Sequence, residues 1–415
     1  MFKAIFLTVL LLFTVELSQA QEGFLAGAVS ERDEKQIAVI VDKGASRIYL
    51  VELESGKQRL VHSADIITGA AAGAKTKQGD LKTPEGVYYI VSYMNSEKMH
   101  ALYGSYAAIY GSGAFPLNYP NPVDRIYKYT GYGVWMHGLN PEGHKPATEG
   151  CVAMENVDFD RFAPLLAPKM PVIIADKVSF IGAKEYELES AKLKGILSNF
   201  LTSWSSNDYE GFEKFVHPSY KSYSASNAKT FLASKKQLMQ LYPDKLITAD
   251  NITVYSQNTN MVFDYNQFYC AENVMSYGNK RMYFVPEEGV HKLIYEELNP
   301  LSTSTYLEKP VKEFLEDWRK AWASKDIDAY MSFYGDDFAS RNAWQEHKEK
   351  IFEANNELIL VFDNIKLNLA GRNSVRITFK QDYKSDTLSD TGMKTLVIKG
   401  CPGSYKIISE DWRAL

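Results

Sequence analysis

The strongest constraint on this chain is a duplication in its C-terminal half. Trp204-Ser205-Ser206-Asn207-Asp208, followed by Phe212 and Phe215, matches Trp322-Ala323-Ser324-Lys325-Asp326, followed by Tyr330 and Phe333, at a constant offset of 118 (322 − 204 and 333 − 215). Further on, His291-Lys292-Leu293-Ile294 through Glu296-Glu297 matches Tyr405-Lys406-Ile407-Ile408 through Glu410-Asp411, at an offset of 114 (406 − 292). A drift of four residues over that span is what loop-length variation produces, so residues 185–300 and 302–415 read as two copies of one module. The first copy opens with Leu193, Ile196, Leu197, Phe200, Leu201 and Trp204 at helical spacing and continues into strand-like alternation, an α+β order. Trp204, Trp322 and the aromatics after them read as core. No acid, base and nucleophile recur together in both copies, which points the modules toward binding rather than chemistry.

Residues 36–177 have a different character. "QIAVIVDKGASRIYLVEL" reads as two strands joined at Lys43-Gly44, and "GVYYIVSYM" and "PVIIAD" are strand-like again, so this part is expected to be mainly β, two packed sheets. A chain of 415 residues exceeds one ordinary core, and its 23% charged and 45% hydrophobic residues are those of a globular protein. With a formal net charge of −5 and no basic stripe, nucleic acid is not an expected partner. At the N-terminus, Lys3, an apolar run from Ala4 to Val15 and Ser18-Gln19-Ala20 read as a signal peptide over residues 1–20. A membrane anchor is the competing reading, but a helix needs roughly 20 apolar residues to span and this run is shorter. The expectation is an extracytoplasmic protein with no transmembrane anchor after cleavage.

Three cysteines, Cys151, Cys270 and Cys401, leave at least one unpaired in an exported chain, and Cys151 is the natural candidate. Cys270 and Cys401 could bridge only if their Cα atoms lie close, which sequence does not give, and the expectation is that they stay apart. Cys151 sits in "MHGLNPEGHKPATEGCVAMEN", within reach of His137. A thiol attacks only as the thiolate, and a paired imidazole can take its proton and later return one to a leaving amine. Gly138 and Gly150 keep the backbone open beside these groups, and N–H groups at Gly150 and Cys151 could hold an oxyanion. These are the parts of a thiol acyl-transfer site, and such a thiol is expected to be alkylated fast near neutral pH. Taken singly, each group has a plainer reading, Cys151 as a small buried hydrophobe and His137 as a satisfied core residue. His144 is a rival base whose setting between Gly143 and Lys145 better suits a substrate lid. His137, His144 and Cys151 are zinc-ligand types, but their spacing fits no structural zinc pattern, so neither metal nor cofactor is expected.

"HGLNPEGHKPATEGCVAM" resembles the active-site signature of the YkuD-type L,D-transpeptidases, a His-Gly pair, a loop, then Ser/Thr-x-Gly-Cys. Gly79, Asp80, Thr83, Pro84 and Gly86 resemble the family's second block, a Gly-Asp-x-x-Thr-Pro-x-Gly turn entering a strand. The resemblance covers residues 36–176 and implies a mainly-β catalytic sandwich acting on peptidoglycan stem peptides. In it Cys151 attacks the meso-diaminopimelate carbonyl and releases a D-amino acid, His137 is base then acid, and the Gly138 carbonyl orients the imidazole. An amine acceptor gives a cross-link, whereas water gives a trimmed tripeptide. The chain departs from most of the family in having Ala153 two residues after the cysteine instead of Arg, and Thr148 in place of Ser. The Cys-x-Ala-Met ending is similar to the branch that includes L,D-carboxypeptidases and enzymes releasing attached lipoprotein. Without that Arg, substrate contacts fall to Lys145 and Lys82, alongside His144 and Thr148. The paired modules resemble the SnoaL-like, or nuclear transport factor two-like, family, in which helices cover a curved sheet to form a cone with a pocket. They are expected to bind wall peptide or an envelope protein. A reading from another class, a non-catalytic wall-binding protein, stays open.

Overall fold

A computed structural model of the chain describes residues 23–222 and 225–415, so the signal-peptide expectation for residues 1–20 lies outside the described residues. The first domain is built on a nine-stranded sheet. Its order is Gly86–Tyr89, Pro171–Ala175, Gln36–Asp42, Arg47–Glu54, Lys57–Ile67, Val152–Met154, Trp135–Gly138, Gly113–Pro116, Met94–Asn95. The strand Lys57–Ile67 is the hinge of this arrangement. Its residues 57–65 pair with Arg47–Glu54, and Ile66 and Ile67 pair with Met154 and Ala153. The sheet thereby turns over on itself, and Val39, Val41, Ile48 and Leu50 of one half share a core with Phe115, Met136, Val152 and Met154 of the other. The two packed sheets expected from the sequence are thus two halves of one.

The opposite face of the first half is also covered. Ala38, Ile40, Val51, Leu53 and Val87 pack with Tyr255, Val262, Tyr283, Val285 and Ile294, which belong to the sheet of the first repeat. Burial on both faces explains why "QIAVIVD" is almost continuously apolar rather than alternating. Residues upstream of the expected domain join in, because Ala28–Ser30 pairs with Thr253–Tyr255 as the edge strand of that second sheet. Arg32 closes the seam with an ion pair to Asp264 at 2.8 Å.

Each repeat is three helices on a sheet of four long antiparallel strands, to which the first adds Val216–Ser222, parallel to Val290–Pro300. The first has Ala183–Ser205, Tyr209–Lys214 and Ala228–Leu241, and the second has Thr303–Ala323, Ile327–Met331 and Arg341–Ala354. The repeated Trp-x-Ser-x-Asp pattern has a local cause. The long helix ends, Asn207 and Lys325 take left-handed φ values of 62° and 59°, and Asp208 and Asp326 cap the next helix through Gly211 N and Ala329 N. Trp204 and Trp322 are core residues, as expected.

The expectation that Cys270 and Cys401 stay apart is overturned: they form a disulfide with Cα atoms 5.7 Å apart. Phe268, Cys270 and Met275 of the first repeat point into the core of the second, beside Leu307 and Val311, and this docking brings the two cysteines together. Tyr306 adds to the seam by stacking on Phe268 at 4.2 Å between ring centroids. Among the described residues no helix is long and apolar enough to cross a membrane.

Candidate active site

Strands Trp135–Gly138 and Val152–Met154 are parallel neighbours with His137 opposite Ala153. Cys151, two residues before Ala153, therefore falls on the His137 side of the sheet, since side chains alternate with period two. Both line a cavity of about 640 Å³. The two signature blocks are stitched together beneath it by residues 68–70: Thr83 Oγ1 accepts from Gly69 N at 2.8 Å, and Thr148 N donates to Thr68 O at 2.8 Å. Gly150 has φ 135°, and a Cβ there would stand 2.7 Å from Lys82 O, so this turn admits only glycine.

His137 is 7% exposed, and its Nδ1 lies 2.6 Å from the Gly138 carbonyl. That oxygen can only accept, so Nδ1 carries the proton and Nε2 is the basic nitrogen. Burial pushes the imidazole down to about 4, against a smaller upward pull from the Gly138 bond. The Cys151 thiol is unpaired and donates weakly to Gly133 O at 3.4 Å. Burial raises it to about 11, with a bond from the Trp135 backbone and the Lys75 charge pulling down and Glu149 pushing up. At neutral pH these shifts leave both groups uncharged, the Lys75 charge lowering the thiol by less than burial raises it, so alkylation is predicted to be slower there than the sequence suggested. From this state the thiol could act as a nucleophile only if its proton left at the same time.

The other expected residues divide. His144, Lys145 and Thr148 line the cavity. His144 and Lys145 are exposed on its rim, with His144 Nδ1 2.9 Å from Lys145 O. Thr148 acts mainly on the turn: its hydroxyl donates to Cys151 O at 2.7 Å and accepts from Gly150 N at 3.1 Å. That second bond occupies the Gly150 N–H expected at an oxyanion and leaves the Cys151 N–H for that task. The Lys82 side chain is not in the cavity lining; its Nζ points toward Gly73, 3.5 Å from where a Cβ would stand. Ala153 is fully buried, so the missing Arg is replaced in place by sheet packing.

Sequence reasoning missed three contributors. Tyr110 sets its ring edge-on to His137 at 5.1 Å between centroids, fixing the imidazole plane. Asn156 accepts from Ser112 N at 2.9 Å and donates to Leu139 O at 2.8 Å, and a Cβ on Gly138 would lie 2.1 Å from its Oδ1. Close approach thus requires glycine at 138, whereas the carbonyl that holds His137 is one any residue would supply. Lys75 lines the cavity with its side chain 4% exposed, bonded to Asp80 at 2.8 Å. Asn156, inside "CVAMEN", and Lys75, four residues before Gly79, stood near the two signature blocks, whereas Tyr110 lay outside both.

The repeats carry a buried polar group in common after all. In the first, Lys280 pairs with Glu296 at 2.9 Å, and Lys235 lies 4.4 Å from the Trp204 ring centroid. In the second, Lys394 pairs with Glu410, and Lys348 lies 3.9 Å from the Trp322 ring centroid. The offsets are 113 for the helix lysine (348 − 235) and 114 for the pair (394 − 280 and 410 − 296). Burial lowers Lys235 to about 8 and Lys348 to about 7. The lysines fell outside the repeated motif, which is why the sequence did not show the pattern. In the first repeat these groups line a cavity of about 600 Å³ with Trp204, Gln267 and Tyr269.

Residues 36–174 match the model of the L,D-transpeptidase catalytic domain, and residues 192–297 and 310–411 match that of the Cds6 C-terminal NTF2-like domain. Among solved structures, Bd1075 from Bdellovibrio bacteriovorus is similar in fold, with a TM-score of 0.59 at 23% identity over 67% of this chain and 99% of that one. Pgp2 from Campylobacter jejuni, a helical cell shape determining protein, is 26% identical over 65% of this chain and 94% of that one, with a TM-score of 0.52. No curated protein matches the chain. The domain and the cell-shape relative support an L,D-transpeptidase-like function related to peptidoglycan. The chain belongs to the L,D-transpeptidase catalytic-domain family in its first part and to the Cds6 C-terminal NTF2-like family across its two repeats.

Proposed function

We propose that this is an exported cysteine enzyme that remodels peptidoglycan in the periplasm by acyl transfer through Cys151. The observation that carries the reading is that an unbridged thiol and a buried imidazole, its Nδ1 held by the Gly138 carbonyl, line one cavity. Cys151 Sγ attacks the meso-diaminopimelate carbonyl of a stem tetrapeptide while its proton passes to His137 Nε2. The S–C bond forms, the amide C–N bond breaks, and His137 returns the proton to the departing D-amino acid. The Cys151 N–H holds the intermediate's oxygen. An incoming amine or water then displaces sulfur, giving a cross-link or a tripeptide. A second reading, L,D-carboxypeptidase, is favoured by Ala153 in the place of the family's usual Arg.

The modules are the part that binds wall peptide or an envelope partner and directs the catalytic domain; the first repeat's cavity with Lys235, Lys280 and Glu296 supports this role. Cutting the chain near Lys184 would strip the cover from Ile40, Val51 and Val87, so single substitutions are the cleaner probe. The test of the whole reading is mass spectrometry of tetrapeptide muropeptides after incubation with the protein and with Cys151→Ala. Loss of terminal D-alanine alone means hydrolysis and a coupled product means transpeptidation; no Cys151-dependent product removes the proposal.

A further inference from the structure

Two lysines of the catalytic domain are almost wholly buried near the signature turn, and they differ in how their ammonium groups are satisfied. Lys43 Nζ has three acceptors, Gly73 O at 2.8 Å, Thr83 O at 3.2 Å and Glu85 Oε1 at 2.7 Å, which matches its three N–H donors. It is a structural cation. Lys75 Nζ has two, Asp80 Oδ1 at 2.8 Å and Lys77 O at 3.1 Å, and its side chain is 4% exposed. One N–H of a buried ammonium is left over, and that lysine, unlike Lys43, lines the Cys151 cavity. A donor in such a position is costly unless something accepts from it.

The surroundings keep its field positive. Asp80 does not simply cancel Lys75, because its carboxylate also accepts from Thr76 N at 2.9 Å, Lys77 N at 3.0 Å and Lys82 N at 3.2 Å. Those bonds hold both the carboxylate and, through it, the ammonium in place. Lys75 Nζ lies 3.9 Å from where a Cβ on Gly150 would stand, so the charge sits against the residue next to the nucleophile. Glu149 is the opposing charge on the cavity wall, but it is exposed to solvent and screened. Lys145 is exposed on the rim, and Lys82 points elsewhere.

We infer that Lys75 is the fixed anion-binding group of the Cys151 cavity, placed to take the terminal carboxylate of the D-amino acid that departs from the substrate. This rests on the acyl-transfer reading for the identity of the anion. Its spatial part, a preorganised cation beside the thiol, stands without it. Lys75 is a substrate-positioning residue: no bond is made or broken at it, and its N–H meets a carboxylate two bonds from the scissile nitrogen.

Two measurements test this separately. In the first, Cys151 is alkylated at pH 9 with anionic iodoacetate and with neutral iodoacetamide, in the wild type, in Lys75→Gln and in Lys77→Gln as an exposed control from the same loop. The iodoacetate-to-iodoacetamide rate ratio is expected to fall roughly tenfold in Lys75→Gln and to stay unchanged in the control. A loop merely loosened by the substitution would move both rates together, so an unchanged ratio overturns the inference. In the second, a tetrapeptide ending in free D-alanine is compared with its C-terminal amide. The wild type is expected to show a KM roughly tenfold or more lower for the acid, with Lys75→Gln erasing that preference through KM rather than kcat. Equal wild-type KM values overturn the carboxylate assignment without any variant, as does a preference that survives in Lys75→Gln. A ratio that depends on Lys75 in a protein that turns over neither peptide keeps the cation beside the thiol and removes only the acyl-transfer reading.

Discussion

Lowering the pH should destabilise the catalytic domain through His137 by an amount the structure fixes. Burial holds this imidazole down to about 4, against 6.5 for a free one. Between those values the unfolded chain carries a proton that the folded chain does not. The unfolded state thus binds more protons, so stability contributed at neutral pH is lost as pH falls from 6.5 toward 4 and changes no further well below 4. At 1.36 kcal/mol for each tenfold step, the gap comes to about 3 kcal/mol at its acid limit. The assay is the opening free energy of the domain, read by hydrogen exchange at core amides of Gln36–Asp42 and Pro171–Ala175, at pH 7 and pH 4. Subtracting the same difference in His137→Gln removes other titrating groups, including Asp124, which burial raises to about 6 and which acts in the opposite sense. The wild type should lose about 3 kcal/mol more than the variant. Equal losses would refute a buried, neutral His137.

Gly138→Ala should abolish turnover, because its Cβ would stand 2.1 Å from Asn156 Oδ1 and 2.9 Å from Ser112 N; thermal unfolding and product assays report this together. Asn156→Ala, which orphans Ser112 N and Leu139 O, should cost about 1–3 kcal/mol and lower kcat by loosening the strand end behind His137. Cys401→Ser should cost the second repeat about 2–5 kcal/mol, seen as an earlier unfolding step, while turnover of soluble muropeptides stays at the wild-type level. Alkylation of Cys151 by iodoacetamide should keep rising from pH 7 through pH 10, following a thiol raised to about 11, and a plateau near pH 7 would contradict that upward shift.

What was legible in the sequence was what repeats or alternates. The two copies of the α+β module could be read because Trp204 and Trp322 end helices of the same kind and Asp208 and Asp326 cap the next ones. Cys151, His137 and the two glycines stood out because a turn that admits no Cβ leaves glycine in the sequence. The disulfide was hidden because Cys270 and Cys401 meet only through docking of one repeat on another, a contact between residues 131 apart. For the same reason the cover over Ile40 and Val51 and the edge strand Ala28–Ser30 could not be foreseen. Lys75 was passed over in favour of Lys82 because both lie in one lysine-rich loop, and only the Asp80 bonds decide which turns inward. The Lys–Glu–Lys groups escaped because their members come from a helix and two strands far apart in the chain, and only the fold brings them together.

The central claim is that Cys151 becomes acylated, and the most direct measurement is the intact mass of the protein, acid-quenched within seconds of mixing with tetrapeptide. An adduct with the mass of the substrate less its terminal D-amino acid is expected, mapped to the Cys151 peptide and absent from Cys151→Ala. Product formation with no adduct, or an adduct that persists in Cys151→Ala, would contradict it.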